Sequence, residues 1–112
     1  MSAEFPIEVD VPSVAASQSA GEDFLFLDCR EQSEYDVAKI PGTVLVPMSE
    51  IQDRLEELAE HRSRRVVVHC HHGGRSLRVA RWLRAQGFEQ AQSMAGGIDH
   101  WSQQIDESIA RY

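Results

Sequence analysis

The 112-residue sequence lacks the features that mark membrane, secreted or nucleic-acid-binding proteins. No apolar run approaches the roughly 20 residues that a membrane-spanning helix needs. The stretch "MSAEFPIEVD" at residues 1–10 has no basic flank and no apolar core, so we expect no signal peptide and a cytoplasmic location. Basic residues number 11 against 18 acidic ones, and the net charge of −7 argues against nucleic-acid binding through bulk electrostatics.

Cysteine is also scarce, since the chain has only Cys29 and Cys70. Two cysteines in a chain expected to be cytoplasmic do not form a disulfide framework, so their reactivity is the more informative question. The hydrophobic share of 42% is ordinary for a globular protein, and a chain of this length can bury one core without disulfides or metals.

Strand-like and helix-like segments alternate along the chain. Short apolar or β-branched runs predict strands over 5–9, 24–29, 43–47, 64–70 and 90–94. Amphipathic spacing and end signals predict helices over 49–61, 75–88 and 96–105, with shorter helical segments beginning at Pro12 and within 30–42. This alternation predicts an α/β domain with three layers, in which helices cover both faces of a parallel sheet of about five strands. We expect one domain over 1–112, with a core of about 5–104 and a C-terminal tail of 105–112.

Cys70 lies in the turn between the strand 64–70 and the helix 75–88. Such a turn directs backbone N–H groups into its own concavity, and the helix dipole adds positive potential there. An anion is stabilised at this point, and with Cys70 at the start of the turn that anion is a thiolate. Gly73 and Gly74 allow the backbone to curl tightly, and Arg75 adds a fixed positive charge. A thiolate in this position can attack an electrophile, hold the transferred group covalently and pass it on.

Loop length distinguishes two classes of enzyme that cradle an anion beside a cysteine. Cysteine phosphatases use the pattern C-x-x-x-x-x-R, whereas Cys70 to Arg75 is C-x-x-x-x-R, one residue shorter. The shorter loop favours a smaller transferred group, such as a single sulfane sulfur. His69 does not separate the classes, because a histidine also precedes the cysteine of the phosphatases. A cysteine phosphatase or an arsenate reductase therefore stays open as an alternative.

Three stretches resemble the rhodanese-like sulfurtransferase family. The segment "DCREQSEYDVAKIPG" (28–42) resembles its Asp-x-Arg-Glu…His-Ile-Pro-Gly-Ala pattern, "HCHHGGRS" (69–76) its active-site loop, and "GGIDHW" (96–101) its Gly-Gly-x-x-x-Trp signature. The sequence departs from the pattern at Lys39, where histidine is usual, and at Thr43, where alanine is usual. The matches occur in the expected order and span most of the chain.

This resemblance implies a chemistry for the cysteine loop. Cys70 would be the nucleophile that becomes a persulfide, and the substrate-binding residues would be His71, His72, Gly73, Gly74 and Arg75. The family's reaction is a double displacement, in which thiosulfate or a persulfide donor loads the cysteine. A thiophilic acceptor, such as cyanide, a thiol or a protein, then removes the sulfur. The resemblance implies no metal or organic cofactor. It leaves open a sulfur relay between two proteins and a non-catalytic binding or regulatory module.

Several other residues near Cys70 have structural explanations that we favour. For Asp28 and Arg30 we favour a structural role over a chemical one, and the alternative is that either residue borders the pocket. Cys29 is expected to be a small core residue, because its neighbours along the strand take the opposite face. Adjacent histidines do not easily complete a zinc tetrahedron, so we expect no metal at His71 and His72. We interpret the arginines recurring along one helix as a solvated face rather than a docking stripe: Arg75, Arg78, Arg81 and Arg84.

Overall fold

A computed structural model describes residues 5–112 as a single sheet with helices around it. The strands are β1 (Glu8–Asp10), β2 (Phe24–Asp28), β3 (Val44–Leu45), β4 (Arg65–His69) and β5 (Ala91–Ala95). The helices are α1 (Val11–Ser19), α2 (Gln32–Val37), α3 (Gly74–Ala85) and α4 (Gly97–Gln104), and a 3₁₀ segment spans Leu55–His61. The strands are parallel in the order β1-β5-β4-β2-β3. The predicted α/β fold with about five parallel strands is confirmed.

Both faces of the sheet are packed, which explains the continuous apolar runs in β2 and β4. Successive strand residues point to opposite faces, so Val66 and Val68 join one cluster while Val67 joins the other. The first cluster includes Val79, Ala80 and Leu83 of α3. The second includes side chains of α1 and α4, among them Val11, Val14, Ile98 and Trp101. The expectation of helices on both faces is therefore confirmed.

The segment 49–61 does not form the predicted α-helix. Residues 49–54 form turns, and the helical part is the 3₁₀ segment Leu55–His61. Leu55, Leu58 and His61 are spaced three apart, which matches the three residues per turn of a 3₁₀-helix, and Leu58 is the buried member. The expected N-cap, Ser49, instead donates a hydrogen bond from its hydroxyl to Glu31 Oε1 at 2.8 Å. The amphipathic pattern identified the buried face but not the type of helix.

Residues at the two ends of the described chain are anchored to the body of the fold. β1 begins at Glu8 and ends at Asp10, whereas the prediction was 5–9; helix α1 begins directly after Asp10, whose carboxylate accepts the N–H of Ser13 at 2.9 Å. Beyond α4, Ile109 is buried in the second cluster, and Ser102 Oγ donates to the Ile109 carbonyl at 2.6 Å. Among the residues that the structure describes, no helix combines the length and apolar character needed to cross a bilayer.

Candidate active site

Cys70 lies at the edge of the sheet where the strands have their carboxyl ends. It directly follows β4, whose last residue His69 pairs in register with Asp28 at the end of β2. Open parallel sheets place their functional sites at this edge, because the loops there meet the N-termini of the following helices. The sequence-based expectation that Asp28 and Cys70 share one edge therefore agrees with the observed register.

Two backbone N–H groups converge on the sulfur of Cys70. Gly73 N donates to Sγ at 3.1 Å and Ser76 N donates to it at 3.3 Å. Gly73 adopts a φ of +115° just before α3, a conformation that residues with a Cβ rarely adopt. Ser76 lies in the first turn of α3, where N–H groups have no partner within the helix. The loop thus places donors and a helix N-terminus around one sulfur atom, which is an environment that stabilises an anion.

The hydroxyl of Ser76 extends this environment into the core. Cys70 Sγ lies 3.4 Å from Ser76 Oγ, which is 2.7 Å from Ser93 Oγ and 3.2 Å from the Gly73 carbonyl. Both serines are fully buried. The sequence interpretation stopped at Arg75 and missed Ser76, although its place directly after the loop, in the sequence "GGRS", could have pointed to it.

The histidines of the loop have different surroundings. His72 is largely exposed, whereas the ring of His71 stacks on Tyr112 with a centroid separation of 3.9 Å and an interplanar angle of 6°. Burial and the neighbouring His72 lower the pKa of His71, which favours the neutral ring. Within residues 5–112, no group of three or more histidine, cysteine, aspartate or glutamate side chains is arranged to hold a metal ion.

Arg75 forms a bidentate ion pair with Glu34 of α2. Its Nη1 donates to Oε1 at 2.7 Å and its Nη2 donates to Oε2 at 2.9 Å. The hydrogen bonds from Arg75 lower the pKa of Glu34 to about 2, and the same contact raises the pKa of Arg75. The sequence interpretation expected Arg75 to add a fixed positive charge at the loop, and it missed Glu34, which pairs with that charge. The N–H groups that donate to the sulfur are those of Gly73 and Ser76.

Asp28 and Arg30 form a fully buried ion pair. Arg30 Nη2 is 2.7 Å from Asp28 Oδ2 and also donates to the Ala38 carbonyl at 2.7 Å. Arg30 Nη1 donates to the hydroxyl of Tyr112 at 3.0 Å. Neither Asp28 nor Arg30 presents an exposed atom, so the structure places both in a supporting position and a border role for them stays a prediction.

His69 is buried beside this pair. Its Nε2 is 3.5 Å from Asp28 Oδ2, and its ring contacts Phe26 edge-on at 5.4 Å. Burial is the largest influence on the imidazole and lowers the pKa of His69 to about 4, against the attraction of Asp28. His69 is therefore a neutral packing residue at neutral pH.

Cys29 packs in the same apolar cluster as Cys70 and is fully buried. Its N–H donates to the His69 carbonyl at 3.1 Å, which continues the pairing of β2 with β4 by one residue. Burial raises the pKa of the Cys29 thiol, and the neighbouring Cys70 adds to this effect. These surroundings agree with the sequence interpretation of Cys29 as a core residue.

Helix α4, which follows strand β5, holds the backbone of the cysteine loop through hydrogen bonds. Ile98 N donates to the Cys70 carbonyl at 2.9 Å, and Asp99 N donates to the His71 carbonyl at 3.1 Å. A Cβ on Gly97 would overlap both of these carbonyl oxygens. The pair of glycines at 96–97 thus has a structural reason, because the helix must approach the loop closely.

The comparisons with known proteins agree with this geometry. The family model described as "Rhodanese-like domain" matches residues 11–104. A sulfurtransferase of Allochromatium vinosum is 32% identical over 95 residues, covering 85% of this chain and 87% of that protein. The rhodanese-like/PpiC domain-containing protein 12 of Arabidopsis thaliana is 33% identical over 88 residues, covering 77% of this chain but only 29% of its own length. The chain likewise spans only 50% of its Bacillus subtilis relative YrkF.

Solved structures show the same fold. The human single-domain sulfurtransferase TSTD1 superposes with a TM-score of 0.76 at 24% identity, covering 88% of this chain and 96% of that one. A Staphylococcus saprophyticus protein, SSP1007, superposes with a TM-score of 0.78 at 25% identity and covers 92% and 97% of the two chains. The family match covers most of the sequence and includes the Cys70 loop. The chain therefore belongs to the rhodanese-like domain family.

Proposed function

We propose that the protein is a sulfurtransferase that carries a sulfane sulfur as a persulfide on Cys70. The observation that carries this proposal is the pair of N–H groups, from Gly73 and Ser76, that donate to Cys70 Sγ at the N-terminus of α3. This arrangement stabilises negative charge on Sγ, which Cys70 bears as the attacking thiolate and bears again when it leaves in the second step. His71, His72, Gly74 and Arg75 would surround the donor as it approaches.

The reaction consists of two displacements at sulfur. The Cys70 thiolate attacks the sulfane sulfur of the donor, a new S–S bond forms, and the bond to the rest of the donor breaks. The electron pair of that bond leaves with sulfite when the donor is thiosulfate, or with a thiolate when the donor is a persulfide. A thiophilic acceptor then attacks the outer sulfur, and Cys70 leaves as a thiolate. One bond to sulfur forms and one breaks in each step, so the balance requires no external electron carrier.

Intact-mass spectrometry tests this proposal directly. The protein incubated with thiosulfate or a small persulfide is expected to gain one sulfur atom, which peptide mapping assigns to Cys70 and cyanide removes. Cys29→Ser serves as the matched control and is expected to load normally, whereas Cys70→Ser is expected to take up none. Loading of the Cys70→Ser variant, or mapping of the added sulfur to Cys29, would contradict the proposal.

The phosphatase or arsenate reductase alternative is tested in the same experiment. An aryl phosphate assay run beside the thiosulfate:cyanide assay is expected to show sulfur transfer without phosphate release. The engagement of Arg75 by Glu34 supports this expectation, because phosphatases need their loop guanidinium for the phosphoryl group. A non-catalytic module would fail both assays.

We also propose that the protein is cytoplasmic. Fractionation of cells carrying the protein would test this location.

A further inference from the structure

Three arginines near the Cys70 loop are engaged by carboxylates. Three such ion pairs surround the loop: Arg30 with Asp28 at 2.7 Å, Arg75 with Glu34 at 2.7 Å, and Arg111 with Asp99 at 3.0 Å. Each positive charge is therefore offset by a negative charge within hydrogen-bond distance. The local positive potential comes mainly from backbone N–H groups and the N-terminus of α3, which together carry only partial charges.

The pair between Arg75 and Glu34 is the one that matters for a donor, because Arg75 directly follows the loop. Both side chains are partly accessible, with 31% of Arg75 and 21% of Glu34 exposed. Glu34 stays ionised at neutral pH, since the hydrogen bonds from Arg75 lower its pKa to about 2. A donor that approaches Arg75 therefore also meets the negative charge of Glu34.

Tyr112 holds Glu34 in this arrangement. Its hydroxyl donates to Glu34 Oε2 at 2.9 Å and accepts from Arg30 Nη1 at 3.0 Å, while its ring stacks on His71. Glu31 N adds a hydrogen bond to the other carboxylate oxygen at 3.1 Å. Contacts from several segments of the chain thus fix the Glu34 carboxylate against the Arg75 guanidinium.

We propose that Glu34 is a specificity-determining residue, positioned by Tyr112, which disfavours dianionic sulfur donors such as thiosulfate and leaves thiol-borne persulfides as the preferred class. This inference rests on the proposed function of Cys70. Thiosulfate brings two negative charges to a site that already contains a thiolate and an ionised Glu34. A persulfide brings at most one negative charge at its reacting group, so the same carboxylate repels it less.

The two loading reactions balance with different leaving groups. With thiosulfate, the Cys70 thiolate takes the outer sulfur, the S–S bond of thiosulfate breaks, and sulfite leaves with two negative charges. With a persulfide R–S–SH, the thiolate takes the terminal SH sulfur, the S–S bond breaks, and R–S⁻ leaves with one. With thiosulfate, a dianion must therefore pass Glu34 when the donor enters, and a second dianion, sulfite, must pass it when the product leaves.

Donor competition in charge-matched variants tests this proposal. The quantity measured is kcat/KM for thiosulfate divided by kcat/KM for cysteine persulfide, with cyanide as the acceptor. Glu34→Gln is expected to raise this ratio by about tenfold, which corresponds to one partly screened unit charge near the donor. Tyr112→Phe keeps the ring and removes only the hydroxyl, so a smaller rise in the ratio is expected. Asp36→Asn removes one negative charge from the same helix without touching Arg75, and its ratio is expected to stay at the wild-type value.

A second variant and a second persulfide donor complete the design. Glu34→Gln combined with Arg75→Gln removes one negative and one positive charge, so the net charge beside the loop is that of the wild type and the rise in the ratio is expected to disappear. A persulfidated peptide is used beside cysteine persulfide to distinguish a protein-borne donor from a small one. Preference for the peptide over thiosulfate indicates that the site accepts a protein-borne donor, and preference for cysteine persulfide over thiosulfate indicates that it accepts a small one. An unchanged ratio in Glu34→Gln, with Cys70 loading normally, would overturn this inference alone. Failure of Cys70 to load from any donor would instead overturn the proposed function.

Discussion

Ser76 belongs to a buried chain of hydrogen bonds that ends at the sulfur of Cys70. Its N–H and its hydroxyl both contact Sγ, and the hydroxyl also bonds Ser93 Oγ at 2.7 Å. A buried hydroxyl without a partner is unfavourable by about 1–3 kcal/mol, so each member of this chain depends on the next. Ser76 therefore contributes both to the stability of the loop and to the position of the Cys70 sulfur.

Replacement of Ser76 by alanine is expected to lower the free energy of unfolding by about 2 kcal/mol, because Ser93 loses its buried partner. The backbone N–H of residue 76 remains, so Cys70 is expected to load sulfur at a reduced rate rather than not at all. Urea unfolding and the rate of mass gain measure the two effects. Ser33→Ala, on the exposed face of α2, is the control and is expected to leave both unchanged. Equal stability of the Ser76→Ala and Ser33→Ala variants would contradict the assigned role.

The neutral His69 makes stability depend on pH. Its pKa is about 4 in the folded protein and near the ordinary 6.5 in the unfolded chain. Below pH 6.5 the unfolded chain binds a proton that the folded protein does not, so folding becomes less favourable as the pH falls towards 4. Glu34, with a folded pKa of about 2 against an ordinary 4.5, acts with the same sign but only below pH 4.5.

Between pH 6.5 and pH 4.5 we therefore expect His69 alone to reduce the free energy of unfolding by about 2 kcal/mol. The lowered pKa of His71 adds a loss of the same sign. Urea titrations at a series of pH values measure the loss, and NMR titration of the imidazole measures the His69 pKa itself. The exposed His100 is the natural control, since His100→Gln is expected to preserve the slope. A His69 ring that titrates near 6.5 would show that its burial does not govern the pH dependence.

At the residue scale, sequence reasoning could place the residues that lie beside Cys70 along the chain, but it could not place those that the fold brings to the loop from distant positions. Cys70, Gly73 and the start of α3 lie within one turn, so the environment of the sulfur follows from local backbone geometry. Glu34 and Tyr112 contact each other although they are 78 residues apart, and Glu34 lies 41 residues from Arg75. No local spacing rule relates such positions, and only the fold brings them together.

Among the secondary-structure elements, α4 has a role beyond covering the sheet. Its first N–H groups bind the carbonyls of Cys70 and His71, which holds the outer side of the loop in place. Gly97 permits this approach with a φ of +59° and no side chain. The signature "GGIDHW" therefore contributes to the site through the backbone of α4, while its tryptophan, Trp101, packs in the core.

Gly97→Ala is expected to lower the free energy of unfolding by more than the strain of an alanine at positive φ accounts for. Strain at positive φ contributes about 1–2 kcal/mol for an alanine, and the overlap with the two carbonyl oxygens adds to it. Gly21→Ala isolates the first effect, because Gly21 has a φ of +71° and no atom near its missing Cβ. Thermal unfolding of both variants measures the difference. If Gly97→Ala proves no less stable than Gly21→Ala, close approach of α4 is not what requires the glycine.

The sequence predicted the type of an element correctly where its apolar pattern and its end signals indicated the same structure. In β4 and α3 the apolar pattern and the local end signals agree, so the strand and the helix were found within a few residues of their ends. In 49–61 the apolar spacing fits both an α-helix and a 3₁₀-helix, and contacts of Arg54 with Glu50 and Glu57 accompany the tighter turns. The arginine series on α3 was similarly ambiguous, since Arg75 binds Glu34 and Arg84 donates to the Ala91 carbonyl rather than facing water.

At the scale of the whole molecule, the segment 105–112 connects the second apolar cluster to the candidate active site. Ile109 is anchored in the second apolar cluster, and Tyr112 ends beside His71 and Glu34. Arg111 binds Asp99, at the start of α4, which ties the segment to the same helix that supports the loop. Sequence reasoning treated these residues as a tail, because two isoleucines in an eight-residue segment, Ile105 and Ile109, make too short a pattern to predict a packed element. We propose instead that residues 5–112 fold as one cooperative unit.

This proposal predicts that a change at Ile109, distant in sequence from the loop, affects both global stability and the loop. Ile109→Ala removes buried methylene and methyl groups, so the free energy of unfolding is expected to fall by about 2 kcal/mol in a single transition. Amides of residues 71–73 are expected to exchange faster with solvent, because the stack of Tyr112 on His71 loses its anchor. Ile105→Ala is the matched control, since that side chain is 42% exposed and its truncation should be nearly neutral. Unchanged exchange in the loop of the Ile109→Ala variant would show that the segment packs against the domain without holding the site.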